Sequence, residues 1–201
     1  GMGTTLAAAW LIDRRLYTVT VGDSRIYLFR HGKTVQASVD HTWVQEAMER
    51  GMLTPEQARI HPNAHVLRRH LGGAGDTVPD QRIRLDDGEH SEASAANQGL
   101  ELEESDAVVL CTDGLSDLVQ REEIGRSLRH RQLDRSIGEL INLARNRGGH
   151  DNITVAAIRV PGKRAFPTRR VIPRVLWAAL VLVLLAAAAA LFFLYIAPGL
   201  H

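Results

Sequence analysis

The chain has a single cysteine, Cys111, so no disulfide framework exists, and a reducing compartment suits it. Acids are missing altogether beyond residue 162, where Lys163, Arg164, Arg169, Arg170 and Arg174 lie. Residues 1–162 therefore carry 19 basic and 23 acidic side chains, a mildly acidic body with no electrostatic reason to bind nucleic acid. No internal repeat is found, and the opening residues do not read as a signal peptide.

Charge is also missing from one long run. "VLWAALVLVLLAAAAALFFLYIA", residues 175–197, has no ionisable carboxylate or amine in 23 positions. As a helix it would be about 34 Å long, enough for a bilayer core of about 30 Å. Trp177 and Tyr195 stand near its ends, where amphipathic aromatics favour the interface. The residues before it, 161–174, are basic and broken by Pro167 and Pro173, which suits a linker lying on anionic headgroups. A single-pass anchor in the cell membrane is expected, with residues 1–160 as a cytoplasmic domain by the positive-inside rule. The bilayer is thus an expected partner through residues 175–197.

Within the first 160 residues, "TTLAAAWLID" and "RLYTVTV" read as strands around a turn at Asp13–Arg15, and "RIYLFR" and "TVQAS" flank the hairpin connection "HGK". "TWVQEAMER" reads as a helix closed by Gly51. In "TPEQARI", Thr54, Pro55 and Gln57 form a capping-box pattern. "QRIRL" is a short strand candidate, and the polar stretch after it, residues 86–99, reads as a mobile loop. "AVVLC" is a buried strand; "QREEIGRSLRH" and "LDRSIGELINLARNR" are helices; "NITVAAIRV" is a last strand. This order does not alternate as a doubly wound sheet does, and it predicts an α+β fold of antiparallel sheets covered by helices.

Three strand ends carry aspartates beside small residues: Asp23 in "VGDSR", Asp113 and Asp117 in "CTDGLSD", and Asp151 in "GGHDNITV". Close carboxylates repel and lose hydration, so something must offset them. If the ends converge, three or four oxygen donors without thiolate suit Mg²⁺ or Mn²⁺ better than zinc. Each aspartate could equally cap a turn or the following helix, and spacing alone leaves both readings open. His61, His65 and His70 lie in a proline-interrupted stretch without cysteine or acid partners, which argues against zinc. His41 and His150, near the acidic motifs, could orient a carboxylate or shuttle a proton, or be plain hydrogen-bonded loop residues.

Other phosphoryl-transfer sites fail on residue type. A haloacid-dehalogenase-type site needs a nucleophilic Asp where Cys111 stands, and a cysteine-phosphatase loop needs Arg where Asp117 stands. "LGGAG" at 71–75 lacks the Lys and Ser/Thr of a P-loop.

Taken in order, "GMGTT", "VGDSRIYLFRHG", "DHTWVQEAMERGMLTPEQARIHP", "LGG", "VVLCTDGLSDLV" and "GGHDNITV" resemble the bacterial branch of the metal-dependent protein phosphatases, the type 2C or PPM family. The resemblance implies a β-sandwich with helices on both outer faces. It also implies hydrolysis of phosphoserine and phosphothreonine in phosphorylated proteins with Mn²⁺ or Mg²⁺, with a membrane Ser/Thr kinase as a conceivable partner. It maps Asp113 and Asp151 onto core metal ligands, Asp23 and Asp117 onto a further, weaker metal site, and residues 40–70 onto a flap beside the active site. No side chain of the chain itself is assigned as a nucleophile or proton donor. The family's amino-terminal elements, the Arg-to-Glu-Asp phosphate grip and the "DGxGG" metal-bridging segment, have no counterpart here. The expectation is therefore a chain that starts inside the domain and has little activity alone. The rival expectation is a membrane-bound pseudophosphatase that binds a phosphoprotein or a kinase.

Overall fold

The computed structural model describes residues 1–72, 77–130 and 132–162, of which Gly1–Gly162 form one compact unit. Strands β1 (Leu6–Ile12) and β2 (Arg15–Val21) make an antiparallel hairpin, Ile12 opposite Arg15, with Asp13 taking the positive φ that a two-residue turn demands. β3 (Arg25–Arg30) and β4 (Lys33–Gln36) make a second, turned by His31 and Gly32 at φ of 50° and 78°. Two successive positive φ values match the right-handed twist of the flanking strands.

A two-helix flap follows. α1 (Trp43–Glu49) is capped by Thr42, and Gly51 follows it at φ 69°. α2 (Pro55–Arg59) carries the complete Thr54/Gln57 capping box. After α3 (Ser91–Ala96) come β5 (Leu100–Glu101), β6 (Ala107–Cys111), α4 (Asp113–Ser116), α5 (Arg121–Leu128), α6 (Leu133–Asn146) and β7 (Val155–Arg159).

The strands form two antiparallel sheets, ordered β1-β2-β5 and β4-β3-β6-β7. Leu16, Ile26, Leu28, Ile83, Leu102 and Val108 fill the space between them. The other face of the four-stranded sheet packs Tyr27, Phe29 and Val109 against Leu115, Ile124, Leu128, Leu140 and Ala144 of the helices. Arg159 of β7 donates to the carbonyls of Leu128 and His130, placing a cation on the negative end of α5. At the other end Glu123 accepts from Arg147 at 2.6 and 2.8 Å, which holds its carboxyl down at about 2 and ties α5 to the end of α6.

Three expectations need correction. Helices cover only one outer face among the described residues: on the three-stranded sheet Leu6, Trp10 and Ile12 point outward and are exposed. "QRIRL" is extended but joins no ladder, because Ile83 donates to the Ser94 carbonyl and Arg84 to that of Ala37. The stretch 86–99 is not a bare loop. It contains α3, too short to persist alone, which is anchored by fully buried Ser94 and by Asn97 donating to the Ile83 carbonyl. No helix among the described residues is long and apolar enough to cross a membrane, and the expected span at 175–197 lies outside those residues.

The sandwich makes a simple contrast testable. Leu16→Ala, at the fully buried centre between the sheets, is expected to cost about 2–5 kcal/mol in urea unfolding. Trp10→Ser, six residues away on the exposed face, is expected to change stability by about 0.5 kcal/mol or less.

Candidate active site

Three strand ends, the start of β3, the end of β6 and the start of β7, meet at one edge of the four-stranded sheet. β3 pairs with β6 so that Arg25 faces Cys111, and β6 pairs with β7 so that Cys111 faces Val155. Asp23 lies two residues before Arg25 and Asp113 two residues after Cys111, and the charge of Asp113 acts on Asp23. The turn that carries Asp23 also crosses from the three-stranded to the four-stranded sheet, since β2 and β3 belong to different sheets.

The backbone around Asp113 is held from the β7 side. Thr112 donates its hydroxyl to the Asn152 carbonyl at 3.0 Å and accepts from the Thr154 amide at 3.1 Å. Gly114 lies so close to this segment that a Cβ there would stand 2.5 Å from the Asn152 carbonyl oxygen, so the small residue after Asp113 is required by contact. Asp113 Oδ1 accepts from the Gly114 amide at 2.9 Å, and Asp117 closes the single turn of α4 through its amide on the Asp113 carbonyl.

The carboxylates feel one another. Partial burial, then the charges of Asp113 and Asp40, push the Asp23 carboxyl above the ordinary carboxylate value. Asp117 is pushed up as well, by burial, with Asp113 and Asp40 adding and His65 and Arg25 opposing. Asp23, Asp113 and Asp117 thus share one field. Asp151 is exposed, accepts from the Asn152 amide at 2.6 Å, and is tied to the others through the backbone at Gly114.

Two contacts of the site were not foreseen from the sequence. Arg25 forks the carboxylate of Asp40 at 2.7 and 2.9 Å and reaches the Tyr27 hydroxyl at 3.4 Å, while Gln36 donates to the other Asp40 oxygen at 2.6 Å. This places a fixed cation behind the aspartates. The signal existed, since strand alternation from Asp23 puts Arg25 and Tyr27 on the same side. The second is His65 of the flap, whose Nδ1 lies 3.4 Å from Asp117 Oδ2. The flap base is closed by Trp43 donating to Val66 and Arg68 donating to His41.

The other histidines do not form a metal centre. His61 stacks on Trp43 at 4.7 Å between centroids, and the His41 ring bonds to Gly22 and Asp80 rather than to any of the four aspartates. Burial pushes the Cys111 thiol up to about 12, so it is no nucleophile. Among the described residues no three His, Cys, Asp or Glu side chains are gathered closely enough to hold an ion by themselves. The donor set nevertheless suits a hard divalent cation in its chemistry. It offers carboxylate oxygens at a shared edge, and Asp23 and Asp113 make no ion pair among the described residues.

Over most of its length the chain is similar to known proteins. Residues 1–154 match the family model for protein phosphatase 2C. The serine/threonine protein phosphatase PstP of Mycobacterium tuberculosis is 39% identical over 160 residues, covering 80% of this chain and 28% of that protein. Protein phosphatase PhpP of Streptococcus pneumoniae is 33% identical over 159 residues, covering 79% of this chain and 58% of that protein. A crystal structure of the PstP catalytic domain in complex with two manganese ions superposes with a TM-score of 0.63 at 37% identity, over 80% of this chain and 60% of that one.

The electrostatics predict a sign. A carboxyl raised in the folded state favours folding at low pH and loses that contribution as pH rises through its folded value. Asp23→Asn is therefore expected to raise the melting temperature of the metal-free protein at pH 7. The gain should vanish below pH 3.8, the ordinary value, where both forms are neutral. Thermal unfolding across pH measures it.

Proposed function

The chain belongs to the protein phosphatase 2C family, and we propose that the protein it represents hydrolyses phosphoserine and phosphothreonine in phosphorylated proteins, with Mn²⁺ or Mg²⁺ as cofactor. The observation that carries this reading is the convergence of Asp23, Asp113 and Asp117 at one sheet edge, where their charges oppose one another. In the proposal Asp113 and Asp151 contribute to the principal metal centre, and Asp23 and Asp117 to a further, weaker one. Bound divalent ions would supply activation of water for attack on phosphorus and neutralisation of the transferring oxygens. The chain's own residues do the positioning. Thr112 and Gly114 fix the two aspartate-bearing segments against each other, and Asp40 holds Arg25 in place behind them. The flap reaches Asp117 through His65 and is the proposed seat of substrate choice.

The chain spans about three-fifths or less of the relatives it matches, and among the described residues the carboxylates do not close around an ion unaided. Weak or no turnover by this chain alone is accordingly part of the proposal. The same observation favours the second reading, a pseudophosphatase that binds phosphoproteins without cleaving them. The full chain with Mn²⁺ and a phosphothreonine peptide tests the metal centre and the inactivity that both readings share. Mn²⁺ binding that is lost in Asp113→Asn combined with Asp151→Asn, with phosphate release near the peptide blank, is the expected result. Failure to bind Mn²⁺ would count against the metal centre. Strong turnover abolished by the double variant would refute the inactivity and the pseudoenzyme reading together.

Tethering to the cell membrane, with the phosphatase domain in the cytoplasm and substrates of a membrane Ser/Thr kinase within reach, is proposed from residues 175–197. The full chain should remain in the carbonate-washed membrane fraction. Leu184→Arg with Leu185→Arg, at about 2.5–3.5 kcal/mol per charge at a helix centre, should release it. Recovery of the unmodified chain in the supernatant would contradict the tether.

A further inference from the structure

Asp23 rides on a turn whose geometry is set from behind. Gly22 sits at φ +100°, and a Cβ there would stand 2.4 Å from the Thr5 methyl, so a side chain at this position would be strained and would force Thr5 aside. Both backbone polar groups of Gly22 go to one residue. The His41 amide donates to the Gly22 carbonyl at 2.9 Å, and the Gly22 amide donates to His41 Nδ1 at 3.0 Å.

Accepting that bond requires Nδ1 to be bare, which leaves the ring proton on Nε2. Nε2 faces Asp80 Oδ2 at 3.3 Å, and Arg82 clamps the same carboxylate through Nε and Nη2 at 2.9 and 2.5 Å. His41 and Asp80 are only 4% and 8% exposed. Burial opposes the Asp80 charge, yet the hydrogen bonds from His41 and Arg82 outweigh it and hold the carboxyl well below the usual range. Asp80 is itself fixed to β2 by a two-way backbone pair with Thr20 at 2.8 and 2.9 Å. On its other side His41 accepts from the Arg68 amide at 2.7 Å, the bond that closes the base of the flap.

We propose that His41 is a positioning residue for the metal-facing carboxylate of Asp23. Arg82 and Asp80 set its tautomer, its Nδ1 holds the Gly22 amide, and Asp23 is thereby aimed at the cation. The inference rests on the metal reading of Asp23 given above. Groups that orient a ligand from outside the coordination sphere typically contribute about 10–100-fold in metal affinity.

The test is a Mn²⁺ titration of the full chain followed by electron paramagnetic resonance, with melting temperatures measured in parallel. His41→Asn keeps an acceptor near Nδ1 and should hold Mn²⁺ affinity within about threefold, whereas His41→Gln keeps the donor towards Asp80, loses the acceptor, and should weaken it about tenfold. Asp23→Asn should weaken binding too. Adding His41→Gln to it should cost no further affinity, although the loss of melting temperature persists. A purely structural histidine would lower affinity equally with and without Asp23→Asn, or not at all, and either result overturns the inference while leaving the metal reading intact. If Asp23→Asn leaves Mn²⁺ binding unchanged, the metal reading of Asp23 falls, and the inference with it.

Discussion

The pairing of Arg25 with Cys111 across β3 and β6 is the contact from which the site follows. It fixes the register of the central ladder, and a slip of one residue would turn every side chain on β3 to the wrong face. In the observed register Tyr27 and Phe29 meet the helices, Ile26 and Leu28 meet the other sheet, and Asp23 is carried past the strand end towards Asp113. Core packing and site assembly are thus one decision. The residues that would suffer most from a slip are apolar, and they hold the carboxylates where the carboxylates alone would not stay.

Electrostatic repulsion at the edge is tolerated because backbone and neighbours leave it little freedom to relax. Gly114 against Asn152, Thr112 between β6 and β7, and Gly22 against Thr5 are close contacts of main chain with main chain or with short side chains. Arg25, a strong cation nearby, is committed to Asp40 rather than to the site aspartates. Its charge lowers the field at Asp117 without neutralising any of the three. An arrangement of this kind gains stability from whatever positive charge enters it.

Much of this was legible in the residues. The strands with two-residue turns, the Thr54 capping box and the amphipathic α6 are local patterns, and local patterns survive folding. The aspartates were legible as strand-end carboxylates, and the register then joins three of them. What was not legible depends on long-range partners. Residues 81–85 look like a strand from Ile83 and Leu85, yet their hydrogen bonds go to Ala37 and Ser94. α3 has too little apolar surface to announce itself and exists because Ser94 and Asn97 are gripped from outside. Asp40 reads as a loop acid until Arg25, fifteen residues earlier, is seen to fork it. His41 lies near the acidic motifs in sequence, yet its ring accepts from the backbone beside Asp23 rather than meeting a site carboxylate.

If the edge formed by Asp23, Asp113 and their neighbours is the proposed divalent-cation site, strand register is what makes it. Crystals of the full chain soaked in Mn²⁺, with diffraction collected on both sides of the manganese absorption edge, test it most directly. The account predicts an anomalous peak within about 2.1 Å of an Asp113 carboxylate oxygen, on the side facing Asp23 and Asp151. Peaks confined to surface histidines, with the Asp113 edge empty at saturating Mn²⁺, would contradict it.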